Sequence, residues 1–341
     1  MGHAGDLVIG QVLPEPGQTL VILDQLGNAH EVTAPQRVIA VLGPRDSSTH
    51  VCATIPDGGL FITQGLDAHW VAGESGIVGV LEREASSQTV HNAECSARFR
   101  CEGLIVDARF KPINIQSFAV RPGDQPVSTP IVLIGATSTE SGKTVLAGKL
   151  IERFSTAGLR VGALKATGTG GILDSMHHRQ SGAAVTLDNV DAGLITTGGD
   201  PEQVRRQIPS IFRQLDQEGV DLIVAELGGD VVSANNPVIF RIDELINQTL
   251  AMIVISNDAL AAAGMVAVNQ RQFRFPPEKI MHMTSPFRNH AGMRRRMASV
   301  GIHQCFDPNS REDLDAIAGE LVHNIPGGGH NHLLQSSNEG T

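Results

Sequence analysis

The residues best placed to do chemistry stand at positions 135–144, Gly-Ala-Thr-Ser-Thr-Glu-Ser-Gly-Lys-Thr. Small residues ahead of a Gly-Lys-Thr triplet are the ingredients of a phosphate loop. Its backbone N–H groups turn inward on the phosphates, the lysine reaches the β/γ-phosphates and the hydroxyl binds Mg2+. Gly142, Lys143 and Thr144 fit those three roles, and Thr139, Glu140, Ser141 and Val145 complete the nucleotide-facing stretch. The strict pattern G-x-x-x-x-G-K-[ST] is not met, because its first glycine falls on Thr137. Context supplies what the pattern lacks. The loop follows the apolar run Ile131-Val132-Leu133-Ile134 and precedes Val145, Leu146, Leu150, Ile151 and Phe154 at helical spacing.

Acids and cations that could serve this loop recur downstream. Asp221 and Glu226 bracket Leu222-Ile223-Val224-Ala225; along a strand they stand roughly 16 Å apart, so only one meets the loop. Glu226, at the C-terminal end, is the candidate Mg2+ ligand beside Thr144. Asp174 is a further metal candidate through Mg2+-bound water, or else the cap of its own helix. Lys165 ends the run Val161-Gly162-Ala163-Leu164, where a cation would stabilise a transferring phosphoryl group; the other reading is a lysine snorkelling at a sheet edge. Lys143 and Lys165 are thus the catalytic candidates. His177 and His178 are adjacent, so on a helix at most one faces the site. Asn257, in Ser256-Asn257-Asp258, is the base-reading candidate or part of a turn, and no Asn-Lys-x-Asp motif specifies guanine there. Asp230 after Gly228-Gly229 is a metal candidate or closes a turn.

Such residues need a sheet to hold them at one edge. Before them, short strand signals at 7–9, 20–23, 38–42, 51–55, 77–81 and 97–106 are separated by turns such as Glu15-Pro16-Gly17. They predict a small β-barrel or sandwich over residues 1–122, with the proline-bearing polar stretch 123–130 as a linker. From 131 to 324 strand signals at 131–134, 160–165, 221–226, 251–256 and 280–284 alternate with helical patterns. One such pattern is Val204, Ile208, Ile211, Phe212 and Leu215; another follows the capping pair Ser310 and Asp313. This rhythm predicts an α/β, doubly wound, mainly parallel sheet. Residues 325–341, with His330 and His332, read as a disordered tail.

Composition narrows the partners. A formal charge of -10 over 341 residues argues against a nucleic-acid binder, and Arg294-Arg295-Arg296 reads as a solvated helix face. The four cysteines, Cys52, Cys95, Cys101 and Cys305, form no CxxC pair, which suits a reduced, cytoplasmic setting. The first residues lack a signal-peptide pattern, and no apolar run approaches the roughly 20 residues that span a bilayer. A nucleotide and an unknown small molecule are the expected partners, with a homodimer left open.

Two families resemble this chain over about residues 131–258. The loop Thr137-Ser138-Thr139-Glu140-Ser141-Gly142-Lys143-Thr144 is similar to that of dethiobiotin synthetase, although the family's loop glycine and aspartate fall here on Ala136 and Ser138. The Glu-x-x-Gly-Gly of Glu226 to Gly229 matches that family too, where it implies metal and substrate-side roles; Asn257 is then implied as a base contact. Ser138 also stands where a related ATPase branch carries an extra lysine, which disfavours that branch. The strand ending in Lys165 and the stretch Asp174-Ser175-Met176-His177-His178-Arg179-Gln180-Ser181-Gly182-Ala183 resemble molybdopterin-guanine dinucleotide biosynthesis protein B, whose histidine-rich stretch is here the glycine-rich 166–171. The shared superclass implies a P-loop NTPase. The expected activity is Mg-ATP-dependent phosphoryl transfer to, or activation of, a small molecule, kinase- or ligase-like, with GTP left open. The alternative is a slow nucleotide-hydrolysing accessory or switch protein in cofactor biosynthesis or regulation.

Overall fold

The computed structural model describes residues 1–46, 51–62, 66–72, 75–84, 97–287 and 290–325. It divides into two compact units, the first comprising Met1–Arg121, Thr167–Met176 and Asp188–Ile208, the second Pro122–Ala166, His177–Leu187 and Pro209–Thr341.

The first unit is built on strands β1 (Leu7–Leu13), β2 (Leu20–Leu23), β3 (Ala29–Val32), β4 (Gln36–Leu42), β5 (Val51–Thr54), β6 (Leu66–Ala72), β7 (Ile77–Glu84) and β8 (Ala97–Leu104). β1 alternates inward and outward along its length, burying Val8 and Val12, the signature of a strand with one face on a core. Neighbours run in the order β4-β1-β8-β6-β7-β5, and β4 also pairs parallel with β7 through Val41↔Ile77 and Leu42↔Val78. That extra pairing closes β4, β1, β8, β6 and β7 into a ring, and β5 pairs antiparallel with β7 beside it. Phe99, Leu20 and Leu42 fill the interior. Gly10 is required where β1 and β8 shift register, because a Cβ there would lie 2.3 Å from the Arg100 carbonyl oxygen.

Strands β3 and β6 have no counterpart in the sequence reading. Three of the four β3 residues are exposed, so no apolar run marks it; it is held instead by the turn at Asp24, whose Oδ1 accepts from the Leu26 and Asn28 amides. β6 alternates Leu66-Asp67-Ala68-His69-Trp70, a weaker signal than the apolar runs that flank it.

Two stretches of this unit interrupt the 131–324 span. Ile195 joins a buried cluster with Val51, Ala53 and Ile77, Thr169 bridges Thr196, and the Val120 amide donates to the Asp191 carbonyl. Chain rhythm does not carry such long-range packing, so a contiguous reading leaves these residues with the later domain.

The second unit is an α/β fold. Its sheet orders as β11-β10-β12-β9-β13-β14, from β9 (Ile131–Ala136), β10 (Val161–Lys165), β11 (Val185–Asp188), β12 (Leu222–Glu226), β13 (Thr249–Ser256) and β14 (Ile280–Thr284). The pairings β10–β12, β12–β9, β9–β13 and β13–β14 are all parallel. Every residue of β9, β10 and β12 is buried, as expected of strands covered on both faces by crossover helices. β11, with four half-buried residues, lacks the apolar run that marks the others and is absent from the sequence reading.

Helices α1 (Lys143–Thr156), α2 (Ile172–Gln180), α3 (Pro201–Gln217), α4 (Asn236–Ile239), α5 (Asp243–Gln248), α6 (Ala259–Val268), α7 (His290–Ser299) and α8 (Arg311–His323) complete the chain. α1 and α8 bury Leu146, Leu150, Phe154, Leu314, Ile317 and Leu321 in one core. Ser310 caps α8 by accepting from the Asp313 amide. Ile325, placed by the sequence reading in the tail, packs into this core; residues 326–341 and Cys95 lie outside the described residues. The stretch read as a linker is tied down at its end, where the Thr129 amide and hydroxyl both donate to Asp216 Oδ1 at 2.7 Å. No helix among the described residues is long and apolar enough to cross a membrane.

Candidate nucleotide site

The loop at 137–142 leaves the C-terminal end of central strand β9 and opens α1. β9 lies where the sheet order reverses, with β12 and β10 on one side and β13 and β14 on the other; ligands of such sheets bind in the crevice outside that switch point. Gly142 has φ 96° and precedes α1 without a side-chain cap, so the helix start presents backbone, not a side chain, to the crevice. A Cβ at Gly142 would lie 2.5 Å from Pro286 Cγ, so glycine is needed there for space as well as for dihedral freedom. Glu140 is also left-handed, at φ 53°. The Ser141 hydroxyl is buried and has no hydrogen-bond partner among the described residues, an orphan that an anion in the loop would satisfy. Lys143 Nζ folds over the loop, donating to the Ser138 carbonyl at 3.3 Å and the Gly229 carbonyl at 2.7 Å.

Glu226 is the electrostatic centre. The β10–β12 register sets Lys165 opposite Glu226. Lys165 Nζ donates to Glu226 Oε1 at 2.7 Å, and the Thr144 hydroxyl donates to the same oxygen at 2.9 Å. His178 Nε2 meets the other oxygen, Oε2, at 3.2 Å. Burial alone would raise the pKa of Glu226, but the Lys165 ammonium and the His178 ring outweigh it and hold the carboxyl well below the usual range. Asp221, at the far end of the strand run, instead accepts from the Arg160 amide.

The model of one family, molybdopterin guanine dinucleotide synthesis protein B, matches residues 131–230. The parallel sheet with its flanking helices and the loop between β9 and α1 fits a P-loop NTPase fold. No curated protein matches the chain. Among solved structures, HypB from Helicobacter pylori in complex with nickel is similar at 13% identity and a TM-score of 0.31, covering 57% of this chain and 86% of that one. The signal recognition particle receptor FtsY from Elizabethkingia anophelis in complex with GDP is similar at 13% and 0.35, over 56% and 59% of the two chains. A ParA family ATPase from Chlorobium tepidum is similar at 10% and 0.34, over 57% and 90%.

Within the second unit the structure brings together Lys143, Thr144, Lys165 and Glu226, the four residues of the sequence reading with the most specific chemistry. Asn257 also reaches the loop, its Nδ2 donating to Ser138 Oγ at 2.6 Å. Asp258 caps α6 through the Ala261 amide. Asp230 closes a turn, accepting from the Val232 and Ser233 amides. Asp174 belongs to the first compact unit, where its charge helps raise the pKa of Asp188. Of the adjacent histidines, His178 is the one that faces Glu226, whereas a Cβ at Gly148 on α1 would lie 2.5 Å from His177 Nε2. The sequence reading left that choice open, and it missed Gly229 as the acceptor for Lys143. The roughly 100° step between neighbours on a helix shows that the histidines differ, not which one turns inward.

Proposed function

We propose that this chain is a nucleotide-hydrolysing accessory or switch protein of cofactor assembly, working with Mg2+ and a nucleoside triphosphate at the 135–144 loop. The observation that carries this reading is the state of Glu226. Both of its oxygens are engaged and its pKa is held low, which suits a permanently ionised partner of a metal and not a general base that must take a proton from an acceptor hydroxyl. The family matched over residues 131–230 supports the same reading by its name, and the guanine dinucleotide in that name favours GTP ahead of ATP.

In this reading the backbone of Thr139, Glu140, Ser141, Gly142 and Val145 lines the phosphates, and Lys143 exchanges the Ser138 and Gly229 carbonyls for phosphate oxygens. The Thr144 hydroxyl and Glu226 would hold Mg2+, whose part is to neutralise charge building on the phosphates. The converging hydroxyl and carboxylate, 2.9 Å apart, suit a hard cation that takes few protein ligands and keeps waters. Lys165 would stabilise charge on the γ-phosphoryl group, and Asn257 would contact the base. The position of Lys165 at a strand end also fits a kinase or ligase, so the test must separate the two.

Binding of fluorescent GTP and ATP analogues and steady-state hydrolysis, measured with and without Mg2+, make that test. Lys143→Ala is expected to weaken triphosphate binding by about 10- to 100-fold, the loss of charge-assisted hydrogen bonds. If the wild type binds neither nucleotide, the reading is wrong. If turnover rises steeply with one small metabolite, the kinase or ligase reading replaces it.

A further inference from the structure

His178 is fully buried, yet among the described residues its ring makes a single polar contact. Nε2 lies 3.2 Å from Glu226 Oε2, and Nδ1 has no hydrogen-bond partner among the described residues. A buried imidazole with one nitrogen unsatisfied costs more than an apolar side chain of the same volume. The polarity at this position is therefore spent on Glu226. Because an ionised carboxylate only accepts, the proton of that contact sits on Nε2.

The contact divides the two carboxylate oxygens. Oε2 is tied to α2, while Oε1 alone takes the Lys165 ammonium and the Thr144 hydroxyl. Without the imidazole, Oε2 would be a buried charged oxygen lacking a donor, and the carboxylate would turn about its last torsion to seek one. We propose that His178 is a positioning residue that locks the rotamer of Glu226, so that Oε1 is presented beside Thr144 to the Mg2+ of a bound nucleotide. This inference rests on the nucleotide-and-Mg2+ reading above. It assigns His178 no contact with nucleotide or metal.

The experiment uses the full chain with His178→Leu, which removes the donor while keeping an apolar core, and His178→Gln, whose amide N–H reaches as Nε2 does. Two quantities are read: the Mg2+ concentration for half-maximal slowing of release of a fluorescent GDP analogue, and the affinity for that analogue in EDTA. His178→Leu is expected to raise the Mg2+ requirement about 10-fold or more, as removal of a residue that orients a metal ligand does. His178→Gln is expected to restore most of it, and affinity in EDTA is expected to stay within about 2-fold, since the phosphate loop is untouched. If His178→Leu does not fold, His178→Asn carries the test, because its shorter amide keeps polarity without reaching Oε2; a raised requirement is again expected. A folded Leu or Asn variant with the wild-type Mg2+ requirement overturns the inference, as does failure of Gln to rescue. If the wild type itself shows no Mg2+ effect, the underlying functional reading falls instead.

Discussion

Glu226 in the second unit is fully buried and Asp188 in the first is half-buried, and burial pushes both carboxyls toward the neutral form. They end on opposite sides. Glu226 meets an ammonium and an imidazole and stays ionised, whereas Asp188 meets the charges of Asp191 and Asp174 and is pushed up to about 6. Desolvation is common to the two sites, so the sign of the neighbouring charge decides the outcome. One region thereby builds a fixed anion facing a phosphate loop; the other builds a carboxyl that titrates just below neutrality.

Removing the Glu226 side chain should have the largest effect. Glu226→Ala removes the carboxylate that the buried Lys165 ammonium meets at 2.7 Å, and a loss of about 3–5 kcal/mol in urea unfolding is expected. The pH profile carries the sign. A depressed carboxyl contributes stability in full above its unfolded value near 4.5 and loses it as pH falls below that value. Glu226→Ala should therefore abolish part of the acid-side loss seen in the wild type. An unchanged midpoint in urea would mean that the pair contributes nothing.

Asp188→Asn should act in the opposite direction and by less. Asparagine keeps an oxygen for the Val190 amide, which Asp188 Oδ1 now accepts at 2.7 Å. The folded form holds the Asp188 proton more tightly than the unfolded chain. Wild-type stability should thus fall as pH climbs from 3.8 toward about 6 and level off above. The variant should lack that fall and be roughly 1–3 kcal/mol more stable at neutral pH, from 1.36 kcal/mol per pKa unit. A variant less stable than wild type at neutral pH would break the comparison.

Asp191→Asn should be the smallest change. It removes the second cause of the Asp188 shift and leaves the first, burial, in place. The Asp188 titration, followed by carboxyl NMR, should move only part of the way back toward 3.8. Complete return would show that charge, not burial, dominates in the first unit.

The elements that were legible in the sequence are those with a local signal. β9, β10 and β12 are apolar runs because both faces are covered, and α3 buries Val204, Ile208, Ile211, Phe212 and Leu215 at helical spacing. The P-loop was legible through its strand and helix flanks although its first glycine is displaced. β3, β6 and β11 carry weaker patterns, and stretches 167–176 and 188–208 join the first unit through packing that no local period encodes.

Within the candidate site the same division holds. The sequence by itself determined which residue types stand at the C-terminal ends of β9, β10 and β12, because strand period and loop chemistry are local properties of the chain. Only the tertiary structure decided that His178 and not His177 meets Glu226, that Lys165 and Thr144 share one carboxylate oxygen, and that Asn257 reaches Ser138. Those contacts join residues 48 to 119 positions apart. Hydrogen bonds at that separation depend on the register of parallel strands and on how each helix turns against the sheet, and both are settled by burying the whole core together.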